Sequence, residues 1–143
     1  MVILSVDYGD QRTGIAVCDP SETLASAVTV IHESYQPKLA QEIGHIVSER
    51  GVEMIVIGLP KNMDATIGPR ARKCLDLAEV LREQTGLPVE TWDERLTTVM
   101  AYQSLDASET FGKKRRGIVD AVSAVIILED YMKHRKNAGQ LNG

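Results

Sequence analysis

Three acidic positions of the sequence lie where predicted secondary-structure elements begin or end. They are Asp7, the adjacent pair Asp93 and Glu94, and Asp120. Carboxylate oxygens are the ligands that Mg²⁺ and Mn²⁺ prefer in proteins. Three carboxylates brought together could hold two ions for in-line attack of water on a phosphodiester. The sequence therefore raises the hypothesis of a two-metal phosphodiesterase site, provided that the fold makes the three positions converge.

Two of these positions end predicted strands. Asp7 follows the apolar run 2–6, and the pair Asp93–Glu94 follows the short run 89–92. In an open α/β sheet, ligands bind outside the carboxyl ends of the parallel strands. If strands one, four and five are parallel neighbours, both acids lie along one edge, together with Gly58 at the end of strand four. Adjacent strand residues face opposite sides, so the pattern does not choose between Asp93 and Glu94.

Asp120 differs from the other acids because it belongs to a predicted helix. It lies on one helical stripe with four apolar or aromatic residues, namely Ala124, Ile127, Leu128 and Tyr131. A carboxylate on such a face is costly to bury without a partner. A divalent cation shared with Asp7 would remove that cost.

Each acid also has an ordinary structural explanation. Asp7 could begin a turn, and Asp120 could be a helix N-cap. Asp93 or Glu94 could be a solvated strand end, or an acid favoured by the dipole of a following helix. The joint site becomes the better interpretation because all three acids fall at positions that the topology would bring together.

Basic residues accompany the acids. Arg95 is next to the acidic pair and could balance its charge or hold a phosphate. A block of four cations precedes Asp120, namely Lys113, Lys114, Arg115 and Arg116. Such runs are usually solvated loops, but this position also fits phosphate contact. The segment 61–64, which contains Asn62, forms a loop predicted at the same sheet edge.

The order of elements predicts an α/β fold. Short turns join the first three strands, and strands then alternate with helices, which implies right-handed crossovers to parallel neighbours. The result is a mixed sheet of about five strands with helices on both faces. The predicted strands are 2–6, 15–17, 25–31, 54–57 and 89–92; the predicted helices are one around Leu39–Val47 that stops at Gly51, one from Pro69 to Gly86, one from Thr97 or Thr98 to Leu105, and one over 118–135. The stretch 106–117 is predicted to be a mobile loop.

Bulk properties fit one intracellular domain. The 143 residues predict a single domain over 1–136 with a flexible tail at 137–143. No apolar run approaches the ~20 residues of a membrane span. Cys18 and Cys74 have no metal-ligand spacing and read as free thiols of a cytoplasmic protein. The net charge of −4 does not exclude a nucleic-acid partner, because the distribution of charge matters more than its total.

Four motifs in order resemble the YqgF/RuvX family of ribonuclease H-fold proteins, to which Holliday junction resolution and pre-16S rRNA cleavage have been attributed. The motifs cover nearly the whole chain and read DYGDQRTGIAV, IGLPKNMD, DERLTT and DAVSAVIILEDY. The resemblance implies a ribonuclease H-like sheet with strand order 3-2-1-4-5. It also implies that Asp7, Glu94 and Asp120 form the acidic set, which favours Glu94 over Asp93. Gly9, Arg12 and Gly14 match the loop after the first acid.

The resemblance implies metal-dependent hydrolysis of structured nucleic acid, with the pre-16S rRNA as the leading substrate and Mg²⁺ or Mn²⁺, as two ions, the cofactor. We expect Asp7, Glu94 and Asp120 to bind the metals. We expect the substrate to be held by the loop residues Gly9, Arg12 and Gly14, by Asn62 and Arg95, and by the four-cation block. The expected protein is a monomer or homodimer that is free of membranes and able to associate with the ribosome. Two alternatives stay open: a resolvase of branched DNA, and a nucleic-acid-binding factor of transcription or ribosome assembly without catalysis.

Overall fold

A computed structural model of the chain describes residues 1–62, 64–94 and 112–142, with side chains for all of these except 112–120 and 139–142. It contains five strands, β1 (Ile3–Asp7), β2 (Thr13–Cys18), β3 (Ala25–Ile31), β4 (Met54–Leu59) and β5 (Val89–Asp93). The described helices are α1 (Gln36–Arg50), α2 (Pro69–Thr85) and α3 (Gly112–Asn142). None of these helices is both long and apolar enough to cross a membrane.

The strands form one sheet in the order β3-β2-β1-β4-β5, which confirms the predicted topology. β1 pairs with β2, and β2 with β3, in antiparallel fashion. β4 pairs in parallel with both β1 and β5. β1, β4 and β5 therefore end at the same edge of the sheet, and this edge is called the carboxyl edge below.

Apolar side chains on both faces of the sheet explain why it lies between helices. Alternate residues such as Leu4 and Val6 pack with α1 and α2, while Ile3 packs with α3 on the other face. Every residue of β1, β2 and β4 is buried, as continuous apolar runs predict for central strands.

Local sequence sets the ends of α1 and α2. Pro69 begins α2, which suits a residue whose fixed φ is already helical. Gly51 and Gly86 follow the two helices with φ of 62° and 72°, a left-handed conformation that glycine adopts without strain. The predicted helix boundaries at Gly51, Pro69 and Gly86 are therefore confirmed.

The structure corrects the interpretation of the basic stretch. α3 begins at Gly112 rather than at 118, so Lys113–Arg116 lie in its first turns and not in a loop. The helix also continues to Asn142, so residues 137–142 are helical, and the division between a domain and a flexible tail stays a prediction. The helix predicted from Thr97 or Thr98 to Leu105 lies outside the described residues.

α3 approaches the sheet closely and runs antiparallel to β1. The hydroxyl of Ser5 donates a hydrogen bond to the carbonyl of Ala124 over 2.7 Å. Further along the helix, the hydroxyl of Tyr131 lies 3.8 Å from the sulfur of Met54, which pairs with Ile3 at the other end of β1. The amino-terminal end of α3 therefore points toward the carboxyl edge.

Candidate metal centre at the carboxyl edge

Asp7 is the last residue of β1 and is buried, with only 7% of its surface exposed. It pairs with Gly14 of β2. Because residues alternate along a strand, Asp7 shares a face with Ile3 and Ser5, which contact α3. The first predicted acid therefore lies at the carboxyl edge, on the side of the sheet that α3 covers.

Glu94 follows the last residue of β5 and is also 7% exposed. Its carboxylate lies against Gly58 of β4: a Cβ atom at residue 58 would be 3.0 Å from Glu94 Oε1 and 2.7 Å from Ile127 Cδ1. Any larger residue at 58 would displace Glu94 or α3. Contrary to the prediction that Gly58 closes β4, it lies within that strand, where its missing side chain leaves room for the acid.

Asp7 and Glu94 approach the same position of β4 from opposite sides. Val6 pairs with Ile57, so Asp7 lies level with Gly58, the residue that borders Glu94. Asp93, the alternative acid, is half-buried and ends the ladder opposite Leu59. The geometry thus brings Asp7 and Glu94 together at the one glycine of β4.

Burial makes this edge unfavourable for negative charge. Removal from water raises the pKa of Glu94, and the neighbouring charge of Asp93 raises it further, while Arg70 acts in the opposite direction. The thiol of Cys74 on α2 is affected by the same negative charges. Burial raises its pKa to about 12, and the charges of Glu94 and Asp7 contribute to the rise. A bound cation would relieve the unfavourable charge of both carboxylates.

Asp120 belongs to α3, one turn before Ala124, and its side chain lies outside the described part of the structure. Because α3 runs antiparallel to β1, the helix turn that contains Asp120 lies beyond the Ser5–Ala124 contact, toward the Asp7 end of β1. Among the side chains that the structure describes, no three acids, histidines or cysteines form a metal-binding group. The three-acid centre remains a prediction.

The loop between β1 and β2 folds tightly beside Asp7. A Cβ atom at Gly9 would be 2.2 Å from the carbonyl oxygen of Arg12, so only glycine allows this conformation. Arg12 is half-buried at the end of the loop. Gly14, which the pattern placed in the turn, is the second residue of β2. The loop therefore keeps Arg12 close in sequence and space to the first acid.

The other predicted substrate residues are placed less directly. The side-chain amide of Asn62 donates to Thr66 Oγ1 over 2.9 Å, and the backbone groups of these residues are also bonded, so Asn62 organises its own loop. Arg95 lies outside the described residues. Lys113, Lys114, Arg115 and Arg116 lie in the first turns of α3, where only the backbone is described.

The sequence reasoning missed Arg70 and Cys74 as neighbours of the acids. Both belong to the first turns of α2, which packs against β4 and β5. The available signal was Pro69: a helix that begins there, soon after β4 ends, must start near the carboxyl edge. Lys73 of the same helix forms an ion pair with Asp10 over 3.2 Å and so connects α2 to the β1–β2 loop.

Comparisons with known proteins agree with this arrangement. A family model described as "RuvX: Holliday junction resolvase" matches residues 1–134. A relative from Thermoanaerobacter pseudethanolicus, named "Putative pre-16S rRNA nuclease", is 40% identical over 96% of this chain and 99% of its own length. A relative of the same name from Clostridioides difficile is 39% identical over 95% of this chain and 96% of its own.

Solved structures show the same fold at low sequence identity. RuvC of T. thermophilus in complex with Holliday junction substrate superposes with a TM-score of 0.60 at 14% identity, over 95% of this chain and 96% of that chain. The fowlpox virus Holliday junction resolvase superposes with a TM-score of 0.53 at 12% identity, over 94% and 99%. This likeness concerns the fold.

Proposed function

The chain belongs to the RuvX family of Holliday junction resolvases, and from that premise we propose that it is a metal-dependent endonuclease that processes the 5′ end of pre-16S rRNA. The observation that carries the proposal is the pair of buried carboxylates, Asp7 and Glu94, on either side of Gly58. The choice of pre-16S rRNA as the substrate is based on the names of the relatives.

The donors fit a hard divalent cation. Both acids are carboxylates, both are almost fully buried, and burial raises the pKa of Glu94. Asp7 and Glu94, joined by Asp120, would hold Mg²⁺ or Mn²⁺, most simply as two ions. When bound, the ions supply an activated water and stabilise the leaving oxygen.

The rest of the edge binds and orients the substrate in this proposal. Arg12, fixed by the Gly9 turn, holds a phosphate next to Asp7, and Arg95 and the Lys113–Arg116 block extend the contact to neighbouring phosphates. Asn62 keeps the loop after β4 in shape. Such contacts hold the scissile bond in line with the attacking water, a geometric effect worth several kcal/mol, roughly 7–11 at its limit.

The substrate also sets the cellular context. A nuclease for precursor rRNA acts in the cytoplasm and meets its substrate on assembling ribosomal subunits. Both cysteines, Cys18 and Cys74, are free buried thiols, which fits a reducing compartment.

Cleavage of four-way DNA junctions is the second candidate, since the family description names this activity. Symmetric cleavage of a junction needs two active sites, and a homodimer is the simplest way to provide them. This candidate therefore requires dimerisation, whereas a monomer suffices for the cleavage of one RNA strand.

A side-by-side cleavage assay separates the candidates. Purified protein is offered a precursor 16S rRNA fragment and a four-way DNA junction of equal concentration, each with Mn²⁺ and with EDTA. We expect cleavage of the RNA with Mn²⁺ and none with EDTA. Preferred cleavage of the junction by a dimer would support the resolvase, and binding of either substrate without cleavage would support the non-catalytic factor.

A further inference from the structure

Arg70 is the second residue of α2 and lies, by helical spacing, on the same face as the buried residues of that helix. Cys74, one turn later, is 1% exposed, and Leu77, Ala78 and Leu81 continue that face into the core. Arg70 is nevertheless exposed. Arg70 lies at the start of that face, where its long side chain reaches solvent although the next residue, Ala71, is fully buried.

The guanidinium of Arg70 is close enough to Glu94 and Cys74 to affect them. Its charge favours the ionised form of Glu94 and of Cys74. Among the described residues, Arg70 makes no hydrogen bond or ion pair, whereas Lys73 of the same helix forms an ion pair with Asp10. Arg70 therefore carries a positive charge beside the acidic centre with donors that face solvent.

Arg72 provides a natural comparison. It is also exposed and lies in the same turn of α2, but two residues correspond to about 200° around a helix. Arg72 therefore points away from the face on which Arg70 lies. The two arginines carry equal charge and differ in the direction they face.

We infer that Arg70 binds the phosphate next to the scissile one, from the α2 side of the sheet, and so fixes the path of the nucleic-acid strand across the carboxyl edge. An exposed guanidinium with several free donors suits a phosphodiester oxygen pair. α2 and α3 pack on opposite faces of the sheet, and both begin toward the carboxyl edge, so the strand passes between their starts. This inference rests on the proposed nuclease function.

The test measures binding and cleavage of a labelled precursor 16S rRNA fragment by wild type, Arg70→Gln, Arg70→Lys and Arg72→Gln. Affinity is measured with Ca²⁺ replacing Mn²⁺, from about 50 to 200 mM salt. Loss of one phosphate contact lowers the slope of log K against log salt by about 0.7–1. We expect this decrease, with a roughly ten-fold higher KM, for Arg70→Gln only. Arg70→Lys keeps the slope, and all four proteins melt at the same temperature.

Three results would overturn the inference while leaving the nuclease intact. They are an unchanged slope and KM for Arg70→Gln, an equal effect of Arg72→Gln, and a fall in kcat with no change of slope. The last would mean that Arg70 acts through Glu94 rather than on the substrate. A wild-type protein that neither binds nor cleaves the RNA would overturn the proposed function, and this inference with it.

Discussion

Glu94 occupies space that exists only because residue 58 is glycine. A methyl group there would meet Ile127 and the Glu94 carboxylate within 3.1 Å. Gly58 is therefore a requirement of the site and of the close approach of α3, although it bears no chemical group.

We predict that Gly58→Ala lowers the free energy of unfolding by about 1–3 kcal/mol, as overpacking does. Cleavage should fall about 100-fold, because small displacements of catalytic groups are expensive. Chemical denaturation and the cleavage assay measure the two effects. Gly44→Ala is the control: it also meets a side chain, that of Gln84, but lies in α1 and should leave cleavage unchanged. Full activity of Gly58→Ala would contradict the assignment of Glu94.

A second prediction, on the stability of the protein, follows from the raised pKa of Glu94. An acid whose folded pKa exceeds its ordinary value of 4.5 binds its proton more tightly in the folded state. Its contribution to stability therefore falls as the pH rises from about 4.5 through the folded pKa. At neutral pH the buried Glu94 side chain is therefore a net cost to the stability of the metal-free protein.

Glu94→Gln should therefore raise the melting temperature in EDTA at pH 7 by about 2–4 °C, while it abolishes cleavage. Mn²⁺ should stabilise wild type and not the variant, because only wild type keeps the ligand. Differential scanning calorimetry at pH 7, with and without Mn²⁺, measures both effects. A variant that melts lower than wild type in EDTA would show that the ionised carboxylate is stabilising.

Sequence patterns located the acids but could not choose between Asp93 and Glu94. Alternation along a strand assigns faces only as far as the strand continues, and β5 ends at Asp93. The orientation of Glu94 depends on the chain after the strand and on the space at Gly58. That space arises from the packing of β4, α3 and the chain after β5, so the sequence of no single element predicts it.

α3 carries Asp120, and its position depends on close contact with β1. Ser123 and Ala124 are fully buried, and the carbonyl of Ala124 accepts the Ser5 hydrogen bond. Small residues at these positions let the helix backbone approach the sheet, so the helix can only be near Asp7 if they remain small.

We predict that Ala124→Leu moves α3 away from β1, lowers the free energy of unfolding by about 1–3 kcal/mol and reduces cleavage. Asn137→Leu adds the same side chain to an exposed position of the same helix and should change neither. Denaturation curves and cleavage rates of both variants test this prediction. Unchanged cleavage by a destabilised Ala124→Leu would mean that α3 does not position the site.

Most elements followed from local patterns, and β3 was predicted with the bounds that the structure has. The start of α3 was missed for a physical reason. Residues 112–117 are basic with a glycine at each end and show no apolar period. Lysine and arginine nevertheless propagate a helix well once a packed segment nucleates it, and the segment from Ser123 onward is packed.

Opposite the carboxyl edge, an ionic network connects Met1 and Arg135 of α3 to the turn that contains Glu22. Glu22 accepts hydrogen bonds from Arg135 of α3 over 2.8 Å and from the amino terminus over 3.2 Å. Arg135 lowers the pKa of Glu22. The network joins the β2–β3 turn, the residue before β1 and the carboxyl-terminal half of α3, at a distance from the candidate site.

Glu22→Gln should lower the free energy of unfolding by about 1 kcal/mol at pH 7. Because the pKa of Glu22 is depressed, its contribution is complete above its ordinary value of 4.5 and is lost as the pH falls through the folded pKa. Denaturation curves of the two proteins should therefore converge in acid, with cleavage at pH 7 unaffected. Glu49→Gln, an exposed acid of α1, is the control. A constant difference at all pH values would exclude the charge as its origin.

The proposed nuclease activity depends on Asp7 as a metal ligand at the carboxyl edge. The most direct test compares Mn²⁺-dependent cleavage of the precursor 16S rRNA fragment by wild type, Asp7→Asn and Asp10→Asn, each checked for a cooperative melting transition well above the assay temperature. Asp10 is a nearby acid that is exposed and paired with Lys73. We predict that Asp7→Asn loses more than about 100-fold in rate, since even groups behind the ligands contribute 10–100-fold, while Asp10→Asn cleaves like wild type. Normal cleavage by a pure, folded Asp7→Asn protein would contradict the metal centre proposed here.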